Sequence, residues 1–383
     1  MNGGPFPYER YLTPVPEQAD ALVDLSDVVR DARLGRHGAR SLDRLRLVIE
    51  ALGDRLRDQW VTVHAIADPR LRTRRTEFPD RTEPDLLARL IRDGLVAELP
   101  DAREALLDIA GMTGLPVIGR DSYDDLRGGH PWVQGNTAQF LMPRPAPART
   151  VRLTARDMGV HAADRAPRPR RPLVDVVARH WRCPERTCSL YDRRRGEAVQ
   201  LPRVRGGEPQ CEWHGLPLAD DGPRPGVAGL RLRCGPDAVH RLALDAGTTV
   251  VLGRAPGPAL DGERTIAIDR CIADGGSPPD AGGRRVSRRH LEIRVGADAL
   301  RLRNLSRHGT RLWRPGPGAG TWSALPDDRP AVLHTRDIAE LAPGVTLART
   351  GRRLPAEIAA AWREAAAEAE RRGGGGALTG PPP

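Results

Sequence analysis

At 383 residues the chain has room for two or three domains of roughly 100–200 residues each, and its 60 basic residues against 50 acidic ones leave a formal charge of +10. That balance favours polyanionic partners such as nucleic acid or phosphorylated protein, while an aromatic content of 4% argues against an extended base-stacking platform. No apolar run approaches the ~20 residues of a membrane span, the opening residues lack a signal-peptide core, and five unevenly spaced cysteines do not describe a disulfide framework, so a soluble, cytoplasmic protein with no membrane partner is expected.

Over residues 18–142 apolar runs alternate with amphipathic ones. Ala21, Leu22 and Val23 lead to Asp24 as a short buried strand, and further strands are expected over 60–66, 95–97 and 115–118. Ser41 caps a helix with Leu42, Leu45, Val48, Ile49 and Leu52 at helical spacing. Pro84 opens a second helix that ends at Gly94, and a third runs over 101–112 and closes at Gly114. This order implies an α/β domain on a mostly parallel, Rossmann-like sheet. Such sheets gather functional groups beyond the carboxyl ends of their strands. Asp24, Asp68 and Asp121 follow strands in that way, and Glu104 falls in the first turn of the third helix. Converging carboxylates repel unless a hard cation, Mg²⁺ or Mn²⁺, neutralises them, and that ion activates water toward a phosphodiester. An Asp after a strand also serves as a simple helix cap or turn residue. Singly each fits the cap, and in concert they fit the metal.

Residues 143–177 are rich in Arg and Pro and read as an extended linker, whose arginines either retain RNA or form a solvated spacer. Cys183 and Cys188, then Cys211 and His214 after a hairpin-length insert, have the pairing that a tetrahedral Zn²⁺ site needs, with His180 as a substitute ligand. A small zinc-ribbon-like module over 178–220 is expected, its metal supplying folding energy and leaving no open catalytic position. Cys234 and Cys271 fall outside the pattern.

Residues 226–350 alternate apolar and polar positions in short strands. Val250, Val251 and Leu252 run into Gly253 and Arg254. Ser287, Arg288, Arg289 and His290 precede a strand with Leu291, Ile293 and Val295, and a strand with Leu300 and Leu302 leads to Ser306, His308, Gly309 and Thr310. Hydroxyls and guanidinium groups gather on the loops, as an anion site on a β scaffold requires. The loop over 269–283 is long and Gly/Pro-rich. An Ala/Glu/Arg-rich helix is expected over 355–372, with Ile358, Ala359 and Trp362 on one face, and a disordered tail over 373–383.

The joint spacing of Gly253-Arg254, Ser287-x-x-His290 and Ser306-x-x-Gly309-Thr310 resembles the forkhead-associated (FHA) domain, an all-β sandwich that binds phosphothreonine. The resemblance implies phosphate contacts from Arg254 and Ser287 with Arg288 flanking, a bracing role for His290, and a loop shaped by Gly309 and Thr310. His308 stands where most members carry an Asn that holds the peptide backbone. Its imidazole donates one such bond, with a charge that depends on pH.

The first block resembles the NYN branch of PIN-like ribonucleases in four patches. These are Val23-Asp24-Leu25-Ser26-Asp27-Val28, the 102–110 helix, Val117-Ile118-Gly119-Arg120-Asp121, and His130-Pro131-Trp132-Val133. That likeness implies Asp24, Glu104 and Asp121 as catalytic metal ligands, with Asp27 in support. Arg103 replaces the first acid of the family's Asp-Asp pair, and Asp101 is available in its stead. The leading expectation is therefore a metal-dependent ribonuclease acting on RNA, directed by phosphothreonine recognition of a partner protein or a Ser/Thr kinase. The alternative is a phosphothreonine-binding adaptor in a Ser/Thr-kinase pathway with a degenerate PIN-like domain. A third is a transcription-associated factor holding DNA through the ribbon.

Overall fold

The computed structural model describes residues 6–35, 39–160, 173–188, 191, 201–205, 208–224, 226–235, 238–259, 263–268, 285–316, 320–327, 329–350, 357, 367 and 371. The chain separates into two compact units, Met1–Arg224 with Glu357–Pro383, and Pro225–Ala356. The 269–283 loop, Cys271, residues 161–172 of the expected linker, the 373–383 tail and nearly all of the 355–372 helix lie outside the described residues. Among the described residues, no helix is long and apolar enough to cross a membrane.

The first unit is built on β1 (Ala21–Asp24), α1 (Leu25–Arg30), α2 (Asp43–Leu56), β2 (Val63–Ala67), α3 (Arg70–Thr73), α4 (Glu83–Arg92), β3 (Val96–Glu98), α5 (Ala102–Thr113), β4 (Val117–Ile118), β5 (Phe140–Ala146) and β6 (Thr150–Ala155). One sheet runs β3-β2-β1-β4-β5-β6, parallel throughout except for the antiparallel pair β5–β6. Both faces of β1 are covered, which is why all four of its residues are buried. Ala21 and Val23 enter the core on the α2 side, whereas Leu22 joins Leu106, Leu107 and Ala110 of α5 on the other. Ser41 Oγ accepts the Asp43 N–H (3.2 Å), and Glu83 from α4 accepts those of Leu42 (3.0 Å) and Asp43 (3.3 Å), so the start of α2 is capped from two directions. Gly114, with φ +68°, closes α5 in the left-handed conformation.

The expectation of a linker from residue 143 is corrected here. Phe140–Ala146 and Thr150–Ala155 are strands, with Pro143 opposite Leu153 and Pro145 opposite Val151. Proline removes a ladder donor. β4 takes only Phe140 and Leu141, so the prolines fall where β5 has a partner on one side alone. Buried Val151 and Leu153 then close the core over α2.

Residues 173–224 also differ from the expected free-standing module. α6 (Leu173–Val177), β7 (Arg179–Arg182), β8 (Arg203–Arg205), β9 (Glu208–Gln210) and β10 (Ala219–Pro223) form two small antiparallel pairs, β7–β10 and β8–β9. Their apolar residues, Leu173, Val176, Trp181, Val204 and Leu218, lie in one cluster with Leu106, Leu107 and Trp132. A segment so small cannot bury a core of its own, and it borrows the face of α5.

The second unit is an all-β sandwich. Its strands are β11 (Val227–Cys234), β12 (Ala238–Asp245), β13 (Thr249–Gly253), β14 (Glu263–Ala267), β15 (Leu291–Val295), β16 (Leu300–Asn304), β17 (Arg311–Arg314), β18 (Thr321–Ala324), β19 (Ala331–Val332), β20 (Ile338–Ala342) and β21 (Val345–Arg349). One sheet runs β12-β11-β21-β20-β17-β18 and the other β14-β13-β15-β16-β19. Leu230, Leu232, Leu252, Ile293, Leu302, Leu312 and Leu347 share one core between them, and Cys234 is buried there.

Phe140 stacks on Trp132 with ring centroids 5.6 Å apart and packs beside Tyr123 at 6.0 Å. Phe140→Ala is expected to cost about 3–5 kcal/mol in denaturant unfolding of the first unit. A cost under about 1 kcal/mol would show that this ring is not part of the core.

Candidate functional site

Three loops at one edge of the sandwich bring the expected anion-binding residues together. The Arg254 N–H donates to Ser287 O (3.0 Å), which ties the end of β13 to the 285–290 loop. The approach is so close that a Cβ on Gly253 would lie 1.9 Å from Arg288 O, so only glycine fits there. His290 is fully buried. Its Nδ1 accepts the Ser287 N–H (3.0 Å), its N–H donates to Leu252 O (2.9 Å), and its carbonyl accepts from Leu305 (2.9 Å). Burial pushes the imidazole down to about 4, which keeps it neutral and able to accept that bond.

The third loop presents Ser306, whose hydroxyl lies 2.7 Å from that of Ser287 and accepts the His308 N–H (3.1 Å). Gly309 holds φ +74°, and buried Thr310 donates to Asn304 Oδ1 (3.0 Å). Asn304 Nδ2 donates to Ser306 O (2.8 Å), so this buried amide fixes the whole turn. Arg254, Arg288 and His308 are exposed, and among the described residues no ion pair engages either arginine, whereas neighbouring Arg289 is bound to Glu263 (2.9 Å). The half-buried Ser287 hydroxyl, backed by that of buried Ser306, lies on loops that also carry two exposed arginines, and guanidinium and hydroxyl groups are the donors that charge-assisted bonds to a dianionic phosphate use. Ser306 and Asn304 belong to this site although sequence reasoning assigned them no role. The Ser-x-x-Gly-Thr spacing was the available signal.

The acidic residues of the first unit surround a cleft of about 420 Å³ lined by Asp24, Asp27, Asp101, Arg103, Glu104 and Asp121 among others. It lies beyond the carboxyl ends of β1 and β4, where the strand order reverses, the usual place for a ligand in an open α/β sheet. The carboxylates are nevertheless engaged one by one. Asp24 caps α1, accepting the Asp27 N–H (3.0 Å), and Asp68 accepts that of Arg70 (2.6 Å). Asp27 accepts the Arg120 N–H. Asp121 accepts the Tyr123 N–H (2.9 Å) and pairs with Arg103, whose remaining two nitrogens bind Asp125 at 2.8 and 2.7 Å. Asp101 pairs with Arg205, and Glu104 stands 3.9 Å from Arg203. Burial first, then the negative charges of Asp27 and Asp121, push Asp24 up to about 7 against the Asp27 N–H and Arg103, which lower it. Asp27 is also raised, chiefly by burial.

Each of these carboxylates thus has a partner of its own within the protein. Among the described residues, the only group of three or more His, Cys, Asp or Glu side chains close enough to share an ion is Cys183, Cys188, Cys211 and His214, with ligand atoms within 4.8 Å of one another. His180, on β7, is not in it. A tetrahedral Zn²⁺ with Zn–S of ~2.3 Å and Zn–N of ~2.0–2.1 Å has edges of about 3.8 Å between sulfurs and about 3.5 Å from sulfur to nitrogen. The Cys188–Cys211 sulfurs are 3.8 Å apart, and His214 Nδ1 lies 3.6 Å from Cys183 Sγ and 3.5 Å from Cys211 Sγ. The residues present fit Zn²⁺ in a closed, structural geometry.

No protein-family model and no curated protein matches the chain. Solved structures similar to about a third of it include the FHA domain of the CT664 protein from Chlamydia trachomatis, at 17% identity over 32% of this chain and 96% of that one, TM-score 0.21. They also include the FhaA FHA domain complexed with the intracellular domain of Rv3910 (21% identity, 31% and 98% covered, TM-score 0.19) and the FHA domain of an Arabidopsis thaliana hypothetical protein (22%, 32% and 85%, 0.21). At these scores the functional reading rests on the geometry of the site itself.

Because the folded state holds His290 near 4 and an unfolded histidine titrates near 6.5, the unfolded chain takes the proton first as pH falls. Its contribution is whole above about pH 6.5 and is lost on acidification toward 4, on the order of 2 kcal/mol. Thermal melts of the full chain between pH 7 and 4.5 are expected to fall more steeply for wild type than for His290→Asn, whose amide oxygen can still accept the Ser287 N–H. Identical pH slopes would mean that His290 does not brace the loop.

Proposed function

We propose that this chain is a phosphothreonine-binding adaptor whose partner is a protein phosphorylated by a Ser/Thr kinase, or the kinase itself. The observation that carries the reading is the 2.7 Å pairing of the Ser287 and Ser306 hydroxyls on loops that also carry exposed Arg254 and Arg288, braced by buried His290. In this reading the sandwich is an FHA domain. Arg254 and Ser287 grip the phosphate, Arg288 and Ser306 flank it, and His308 contacts the peptide main chain. Zn²⁺ at Cys183, Cys188, Cys211 and His214 supplies folding energy to residues 178–220 and to the face of α5 they cover. The PIN-like unit is a scaffold. What supports this is that its acidic groups are already satisfied by helix caps, a turn and arginines.

A second reading, a Mg²⁺- or Mn²⁺-dependent ribonuclease cleaving RNA, is favoured by one observation: the cleft holding Asp24, Glu104 and Asp121 sits at the switch point of the sheet.

Fluorescence polarisation with matched phosphothreonine, phosphoserine and unmodified peptides separates binding from charge attraction. Wild type is expected to prefer the phosphothreonine form, and Arg254→Ala or Ser287→Ala to weaken it by about 10–100-fold. Equal binding of phosphorylated and plain peptide would end the proposal. In parallel, single-stranded RNA with Mn²⁺ is expected to remain intact. Cleavage that disappears in Asp24→Asn and Asp121→Asn would establish the ribonuclease reading instead.

A further inference from the structure

The cleft of the first unit carries carboxylates from β1, α5 and the loop after β4, in the place where an α/β sheet of this order holds its ligand. So many acids around one cavity demand a cation. The protein supplies one. Arg103, on the first turn of α5, turns its guanidinium onto Asp121 through Nε and onto Asp125 through Nη1 and Nη2, a forked arrangement that leaves Asp121 committed. Two further arginines come from the β8–β9 hairpin. Arg205 pairs with Asp101, and Arg203 lies 3.9 Å from Glu104 and 3.7 Å from Asp108. The hairpin is fixed by the Val204 N–H, which donates to buried Asp108 (3.1 Å), and Gln210 at its end is followed directly by the zinc-type ligand Cys211.

We infer that guanidinium groups replace the divalent metal in this cleft: Arg103 takes the position of the ion beside Asp121, while Arg203 and Arg205, carried by the zinc-anchored hairpin, neutralise Glu104 and Asp101 at the rim. A divalent ion entering beside Arg103 would meet a like charge at short range and would have to compete for a carboxylate already bound. Arg103 is thus the residue that keeps a divalent ion out of the cleft. The inference rests on the adaptor reading of the first unit and is independent of the phosphate site.

The test is Mn²⁺ binding by calorimetry and electron paramagnetic resonance, with RNA cleavage measured on the same full-length, zinc-loaded preparations. Wild type is expected to show no saturable Mn²⁺ binding. Arg103→Asp is expected to bind at least about tenfold more tightly, Arg103→Ala to gain less, and Asp121→Asn added to Arg103→Asp to abolish the gain. One zinc per chain together with a wild-type circular dichroism spectrum and melting temperature shows that each variant is folded, since Cys183 and Cys211 share a core with α5. Saturable Mn²⁺ binding by wild type that Asp121→Asn removes would overturn the inference, and so would zinc-loaded Arg103→Asp and Arg103→Ala that bind no better than wild type. RNA cleavage by wild type without Mn²⁺ binding would overturn the adaptor reading alone and leave the arginine assignment standing.

Discussion

A charge taken out of water has to find its partner inside the protein, and in this chain, which has no lysine, the permanently charged basic side chain is always arginine. Guanidinium suits the task because its planar fork satisfies several acceptors at once. Arg44 is fully buried in α2 and donates to the carbonyls of Leu34 (2.9 Å) and Val29. Arg40, also buried, donates to Leu71 O (2.7 Å) and pairs with Glu77 (2.6 Å). These two hold the connections around α2 and α3 by their backbones. The same chemistry pairs Arg103 with Asp121 and Arg205 with Asp101 beside the acidic cleft. On the sandwich rim the pattern reverses. Arg254 and Arg288 stand exposed, without an acidic partner among the described residues, beside two hydroxyls. That open arrangement is what the proposed phosphate site rests on.

The two halves of the first unit depend on α5. One face of that helix packs beneath the parallel sheet, and the same region receives α6, Trp181 and Val204 from residues 173–224. Asp108 on α5 is almost wholly buried and is pushed up to about 8 by that burial, against the Val204 N–H and Arg203, which pull it down. A half-satisfied carboxylate at such an interface is costly. The hairpin that gives Asp108 its Val204 N–H runs directly into Cys211 of the four-ligand set, so hairpin and helix share one packed region.

Much of this was legible in the chain. The strand at Ala21–Asp24, the helices closing near Gly94 and Gly114, and the sandwich strands followed from apolar period and turn residues, because both faces of the sheet and one face of each helix are buried. The spacing of Cys183, Cys188, Cys211 and His214 announced a four-ligand set. Proline misled at residues 143–152, since an edge position where β5 has one neighbour tolerates residues that a central strand forbids. The acidic residues were legible only in part. Asp24 and Asp121 sit where strand order placed them, but their bonds to the Asp27 N–H, the Tyr123 N–H and Arg103 depend on side-chain directions that no sequence pattern encodes. Pairing of Arg205 with Asp101 joins residues more than a hundred positions apart, beyond the reach of local spacing. Ser306 and Asn304 show the converse: residues visible in a motif acquire their roles only when the 2.7 Å hydroxyl pair and the buried amide are seen.

Recognition of phosphate by the sandwich loops is the claim on which the account turns, and amide hydrogen exchange of the full chain, with and without a phosphothreonine peptide, addresses it most directly. The account predicts increased protection over 285–290 and 305–310 and at Arg254, with the cleft residues around Asp24 and Asp121 unchanged. Protection confined to the acidic cleft, or equal protection by the unphosphorylated peptide, would contradict it.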